Sequence, residues 1–272
     1  MSFNGFNEYT NEYLVGIKFN NNKPWFQAHK EMYTENVHNI TIEFANELLA
    51  RMVDFDPDFT EQPKISRANR DIRFSKNKAP YKVCKWFFFK NPLTKGSMPH
   101  NAPGFFFEMS ADWWRYGLFF GDNPQTMSAL RAKINADPAG CSRIVAVGNK
   151  SRFDIEGEDY KRIFNKELPD DVNSLAQKKW ITYVRYEDYD NMDFYSPKLV
   201  DTVFEGFKEI YDVYKYLKVW VRKPLSHWVT APPEVELKWL VFTWIFIVEN
   251  GLFVGANSVR PYIAPKDLLA NP

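Results

Sequence analysis

Apolar positions fall at helical spacing through the first fifty residues. Tyr9, Tyr13, Leu14, Ile17 and Phe19 give residues 7–20 one apolar side, the mark of a helix resting on a core. The Asn20-Asn21-Asn22-Lys23 run breaks that pattern. Pro24 then suits the first turn of a second helix, where its missing N–H is not needed, and this helix carries Trp25, Phe26 and Tyr33. Ile40, Phe44, Leu48 and Leu49 predict a third helix from about Val37 to Met52, ended by Asp56-Pro57-Asp58.

The period then changes. Phe87–Phe89 and Phe105–Phe107 are short aromatic runs separated by Gly and Pro, and Tyr116–Phe120 reads as the strand partner of Phe105–Met109. Asn123-Pro124 and Asp137-Pro138 read as capped helix starts. Trp180–Tyr186 reads as a further strand. From Ser196-Pro197 an apolar stripe, Leu199 through Leu217, predicts one long amphipathic helix near 197–219. The fold class expected is α+β: a central, mostly antiparallel sheet flanked by helices behind a helical N-terminal region. Residues 1–222 are expected to form one domain. Residues 223–272 read as an appendage, with a Pro232-Pro233 linker and a β-hairpin turning on Asn250-Gly251.

Composition changes this picture in one respect. Rings make up 17% of the chain, enough for stacking platforms, but their helix and strand periodicity assigns most of them to the core. Lys plus Arg number 35 against 34 Asp plus Glu, so the basic excess of a general nucleic-acid binder is missing. Cys84 and Cys141 are too few for a disulfide framework. The opening residues lack a secretory pattern, and the most apolar run, Trp239–Val248, is about half a bilayer span. A cytoplasmic protein without a membrane span is expected.

Charge is even overall but not locally. Between Lys64 and Lys90 stand nine cations and a single acid, Asp71, a local net of +8, so the rest of the chain sums to −7. Arg67, Arg70 and Arg73 recur at spacing three, and a guanidinium presents a planar fork suited to phosphate or carboxylate. Asp71 between two arginines would be held ionised, to orient a fork or to act as a base. Ser75, Lys78, Tyr81 and Lys82 add donors. A bland use exists as well, since Lys and Arg on an edge strand deter aggregation.

The centre of this stretch, RANRDIRFSKNKAPYK from Arg67 to Lys82, resembles the signature of the family catalogued as domain of unknown function 2461. Asn21-Asn22-Lys23-Pro24-Trp25-Phe26, Pro103–Glu108, Tyr116-Gly117 and Phe194–Asp201 look like further elements of it, and the resemblance spans roughly residues 3–220. Two departures stand out. Lys23-Pro24 replaces the usual Arg-Glu, and Val83-Cys84-Lys85 stands where the family strand often begins with His. The resemblance implies no activity. It does place Arg67, Arg70, Asp71, Arg73, Phe74, Ser75, Lys78, Pro80, Tyr81 and Lys82 on the family's most characteristic segment.

No P-loop, dinucleotide fingerprint or nucleophile elbow occurs, and His29, His38, His100 and His227 lack ligand spacing. Glu156-Gly-Glu158-Asp159 could offer acids to Mg²⁺ but fits a solvated turn better. Trp113-Trp114 fits a capped sheet edge better than a sugar platform. The function expected is binding of a phosphorylated or carboxylated small molecule. Arg67, Arg70, Arg73, Ser75, Lys78, Tyr81 and Lys82 would hold the anion, Asp71 would be the acid/base group if there is catalysis, and Asn22, Trp25 and Phe74 would wall the pocket. No cofactor and no metal are called for. Nucleic-acid binding and a protein-docking scaffold are the alternatives, and the sequence is silent on oligomeric state.

Overall fold

The computed structural model describes residues 2–60, 62–89, 102–121 and 123–218. The expected appendage over residues 223–272, with its hairpin at Asn250-Gly251, lies outside the described residues.

Helix α1 (Glu8–Phe19) opens with a reciprocal cap: the Asn7 side chain accepts from the Thr10 amide, and the Thr10 hydroxyl accepts from the Asn7 amide, satisfying donors that the first turn leaves unpaired. In α2 (Lys23–Ala28), Asn22 caps the end and Pro24 sits in the first turn, so its ring costs no hydrogen bond. The single second helix expected as far as Tyr33 is interrupted at His29 (φ −112°, ψ 17°). After it come the short α3 (Lys30–Met32), a π-helical stretch Tyr33–Asn39, and α4 (Ile40–Phe55).

The strands are β1 (Lys64–Ile65), β2 (Cys84–Phe88), β3 (Gly104–Ser110) and β4 (Trp114–Gly121). Helices α5 (Pro124–Ala136) and α6 (Pro138–Lys150) start at the expected Asn-Pro and Asp-Pro caps. Then follow β5 (Asp154–Glu156), α7 (Asp170–Ala176), β6 (Trp180–Glu187), α8 (Lys198–Glu209) and α9 (Tyr211–Leu217). The sheet runs β1-β2-β3-β4-β6-β5 with every neighbour antiparallel, so the α+β class is borne out. The stripe from Leu199 to Leu217 does not form one helix. Ile210 leaves the helical region (φ −107°, ψ 16°), and the two halves set Phe207 and Tyr214 against the same Phe105 ring, at 4.5 and 4.9 Å.

Strand alternation sorts the rings. Phe87, Phe105, Phe107, Trp114 and Tyr116 are fully buried and meet helix residues: Phe44 of α4 lies 4.9 Å from Phe107, and Phe207 of α8 lies 6.2 Å from Tyr116. The opposite phase carries Cys84, Trp86, Phe106, Glu108, Arg115 and Tyr186, paired strand to strand. Gly117 is required where β4 crosses β6, because a Cβ there would stand 1.9 Å from the Tyr183 carbonyl oxygen. Among the described residues no helix is long and apolar enough to cross a membrane.

Candidate functional site: a cationic pocket beside a buried amine

The arginine-rich segment is held as a pinched loop. The Arg70 amide donates to the Pro80 carbonyl and the Lys82 amide to the Ala68 carbonyl, both at 2.8 Å, around an Asn69–Tyr81 bridge. Residues 71–79 project beyond this pinch. Asn21, in the break between α1 and α2, locks it: its side-chain oxygen accepts from the Tyr81 amide at 3.0 Å and its nitrogen donates to the Tyr81 carbonyl at 2.9 Å. The Tyr81 ring stacks on Phe26 of α2 at 4.0 Å and is buried. The two sequence elements thus lie together, with Asn21 and Phe26 making the contacts.

Between the pinch and the start of β2 lies a cavity of about 510 Å³ walled by Asn21, Arg70, Asp71, Tyr81, Lys82, Val83, Cys84 and Trp86. Arg70 crosses the loop base, donating to the Ala79 carbonyl (3.2 Å) and the Ser75 hydroxyl (3.3 Å), which leaves other N–H donors of its fork uncommitted. Lys82 donates to the Arg67 and Asn69 carbonyls at 3.0 and 2.7 Å, and one ammonium proton remains. Burial, together with the Arg67 and Arg70 guanidiniums, pulls the Lys82 pKa below its usual value, as expected of a cation among cations. Cys84 is also in the wall, but burial and then Glu108 push its thiol up to about 12, so it is no nucleophile near neutrality.

The acid is already occupied. Asp71 takes a bidentate contact from Arg73, with Nε at 2.9 Å and an Nη at 2.6 Å, and those hydrogen bonds hold its carboxyl at about 2. A group so far below neutrality is a weak general base; the geometry makes Asp71 the orienter of Arg73. Of the residues singled out from the sequence, Arg70, Asp71, Tyr81 and Lys82 line the cavity. Ser75 supports Arg70 from behind, and Lys78 closes the loop on the Ile72 carbonyl at 3.0 Å. Phe74 is 94% exposed, with Arg73 beside its ring. Asn22 caps α2, and Trp25 stacks on His29 at 4.0 Å and faces Tyr13. Neither is in the cavity wall. Away from this region, Glu158 and Asp159 pair with Lys179 and Lys178.

Behind β2, on the helix-packed side, is a feature that charge counting does not single out. Lys85 is 2% exposed. Its Nζ lies 2.7 Å from His38 Nδ1, 2.7 Å from the Ser66 carbonyl oxygen and 3.2 Å from the Tyr33 hydroxyl. None of these neighbours is an acid, so burial, with Lys82, pulls the amine down to about 7. Burial and then Lys85 lower His38, and burial raises Tyr33 to about 12. The π-helical stretch builds this cluster. Residues five apart point about 140° apart on an α-helix, yet here the Tyr33 and His38 rings lie stacked 5.8 Å apart. A signal did exist in the sequence: alternation puts Lys85 in phase with Phe87 and Phe89, on the core side.

The model of one family, described as conserved hypothetical protein (DUF2461), matches residues 9–216. No curated protein matches the sequence.

Proposed function

The chain belongs to the DUF2461 family, and from that premise we propose that it binds a small phosphorylated or carboxylated molecule in the pocket beneath Arg70 and Lys82. One observation carries the reading. Two cations with spare donors face a common cavity, while the only acid among the described residues of its wall, Asp71, is already neutralised by Arg73. A charged-group hydrogen bond in such a place contributes about 1.5–3 kcal/mol, and the cavity lies within the roughly 300–1,000 Å³ of ordinary ligand sites. Binding is the function proposed, without catalysis, because Asp71 is poorly tuned for proton transfer and Cys84 for attack.

The test is a thermal-shift panel of phosphate, sugar phosphates and di- and tricarboxylates against the full chain and Arg70→Ala. At least one anion is expected to raise the melting temperature, and Arg70→Ala to lose that shift by weakening binding roughly tenfold or more. A flat panel for the unaltered protein would sink the reading. Oligonucleotide affinity falling steeply with salt would put a nucleic-acid surface in its place.

A further inference from the structure

The two walls of the pocket differ in chemistry, and that difference restricts the ligand. Arg70 and Lys82 bring charge from the two sides of the pinch, whereas Val83, Cys84 and Trp86 form a less polar wall where β2 begins. Cys84 and Trp86 are two apart on the strand and so share a side. Orthophosphate held by Arg70 and Lys82 would leave most of 510 Å³ to water, next to an indole. Beyond Trp86 the same side of the sheet offers no second anion subsite among the described residues. Trp86 pairs across the ladder with Glu108, and Glu108 already holds the Arg115 guanidinium at 2.6 Å. That guanidinium is further covered by Trp113 at 4.9 Å and Tyr186 at 5.4 Å. A ligand whose anion meets Arg70 and Lys82 would therefore run its body toward Trp86.

Building on the anion reading, we propose that the ligand carries a planar ring beside its phosphate or carboxylate, a mononucleotide or aryl phosphate in class, with the ring lying against the Trp86 indole. An aliphatic or sugar body can lay only C–H groups on an indole, while a planar ring gains the full stacking contact. Trp86 is thus a specificity-determining residue, and Arg70 and Lys82 supply affinity common to all anions.

Isothermal titration of the full chain with inorganic phosphate, ribose phosphate, phenyl phosphate and adenosine monophosphate separates these roles. At least one of the two ring-bearing ligands is expected to bind roughly tenfold tighter than ribose phosphate. Trp86→Ala should bring it to within about threefold of ribose phosphate, and Trp86→Phe, which keeps a ring and guards against misfolding, should retain most of the advantage. Tight binding by phenyl phosphate alone would mark an aryl phosphate site, and by adenosine monophosphate alone a nucleotide site; both support the proposal. Equal affinity for ribose phosphate and both ring-bearing ligands would overturn it and leave the anion reading standing, as would a Trp86→Ala variant that weakens every ligand alike. Binding by none of the four would overturn this proposal and the phosphate half of the anion reading, whose carboxylate half the thermal-shift panel tests.

Discussion

Lys78 and Lys85 stand seven residues apart in one cationic stretch and meet opposite surroundings. Lys78 is exposed in the 71–79 loop, where its ammonium donates to the Ile72 carbonyl and water screens the rest. Lys85 is enclosed, touches a histidine, a carbonyl and a phenol, and has no acid among those neighbours. The same contrast separates their surroundings. Asp71 and Arg73 pair in the open with little effect on stability, while the Lys85 cluster turns each proton into a free-energy change. Nominal charge counts both lysines alike; it is enclosure that pulls the Lys85 amine down.

Removing the charge from the enclosed amine should have the largest effect. The Lys85 pKa falls from 10.5 in the open chain to about 7 when folded, so between those values the unfolded state binds more protons and stability rises with pH. The full difference is on the order of 5 kcal/mol, complete above the upper value and gone by pH 7. His38, also lowered, adds a rise ending near 6.5. Tyr13 and Tyr33, raised by burial, lose stability only as pH climbs past 10. Urea unfolding from pH 6.5 to 10 should thus show a steep rise for the unaltered protein and a much flatter one for Lys85→Met. Identical slopes would mean that Lys85 stays charged in the fold.

A middle effect is expected where the two regions are tied together. Asn21→Ala removes both side-chain bonds to the Tyr81 backbone and should cost about 1–3 kcal/mol, while opening the pinch that carries Arg70. Denaturant melts and phosphate titration on the same variant should show both losses; an unchanged phosphate affinity would detach the clamp from the pocket. The smallest effect on stability belongs to the exposed pair. Asp71→Asn should leave the melting temperature where it is, yet free Arg73 and strengthen phosphate binding severalfold at low salt, a gain that salt erases. A large drop in melting temperature would show that the loop depends on the pair.

Much of the frame was legible because it follows from local rules. The Asn22-Lys23-Pro24 start of α2, the Asn-Pro and Asp-Pro starts of α5 and α6, and the pairing of β3 with β4 rest on caps and alternation. The break at Ile210 was not legible, since an apolar stripe reads the same whether one helix or two carry it; the shared Phe105 ring is a long-range contact. The cationic segment was also legible, but not the division of labour within it. Arg70 and Arg73 have the same chemistry in sequence, yet one enters a cavity wall and the other is spent on Asp71.

The sequence alone determined the α+β class, the helix starts, the strand phases, the family resemblance and the concentration of cations between Lys64 and Lys90, all properties of neighbours along the chain. Tertiary structure decided that Asn21 clamps Tyr81, that a π-helical stretch turns Tyr33 and His38 onto one amine, and that Trp86 shares a cavity with Arg70. These join residues as many as 60 positions apart. Burial and convergence depend on which distant surfaces pack together, and no local pattern of apolar and charged positions records that.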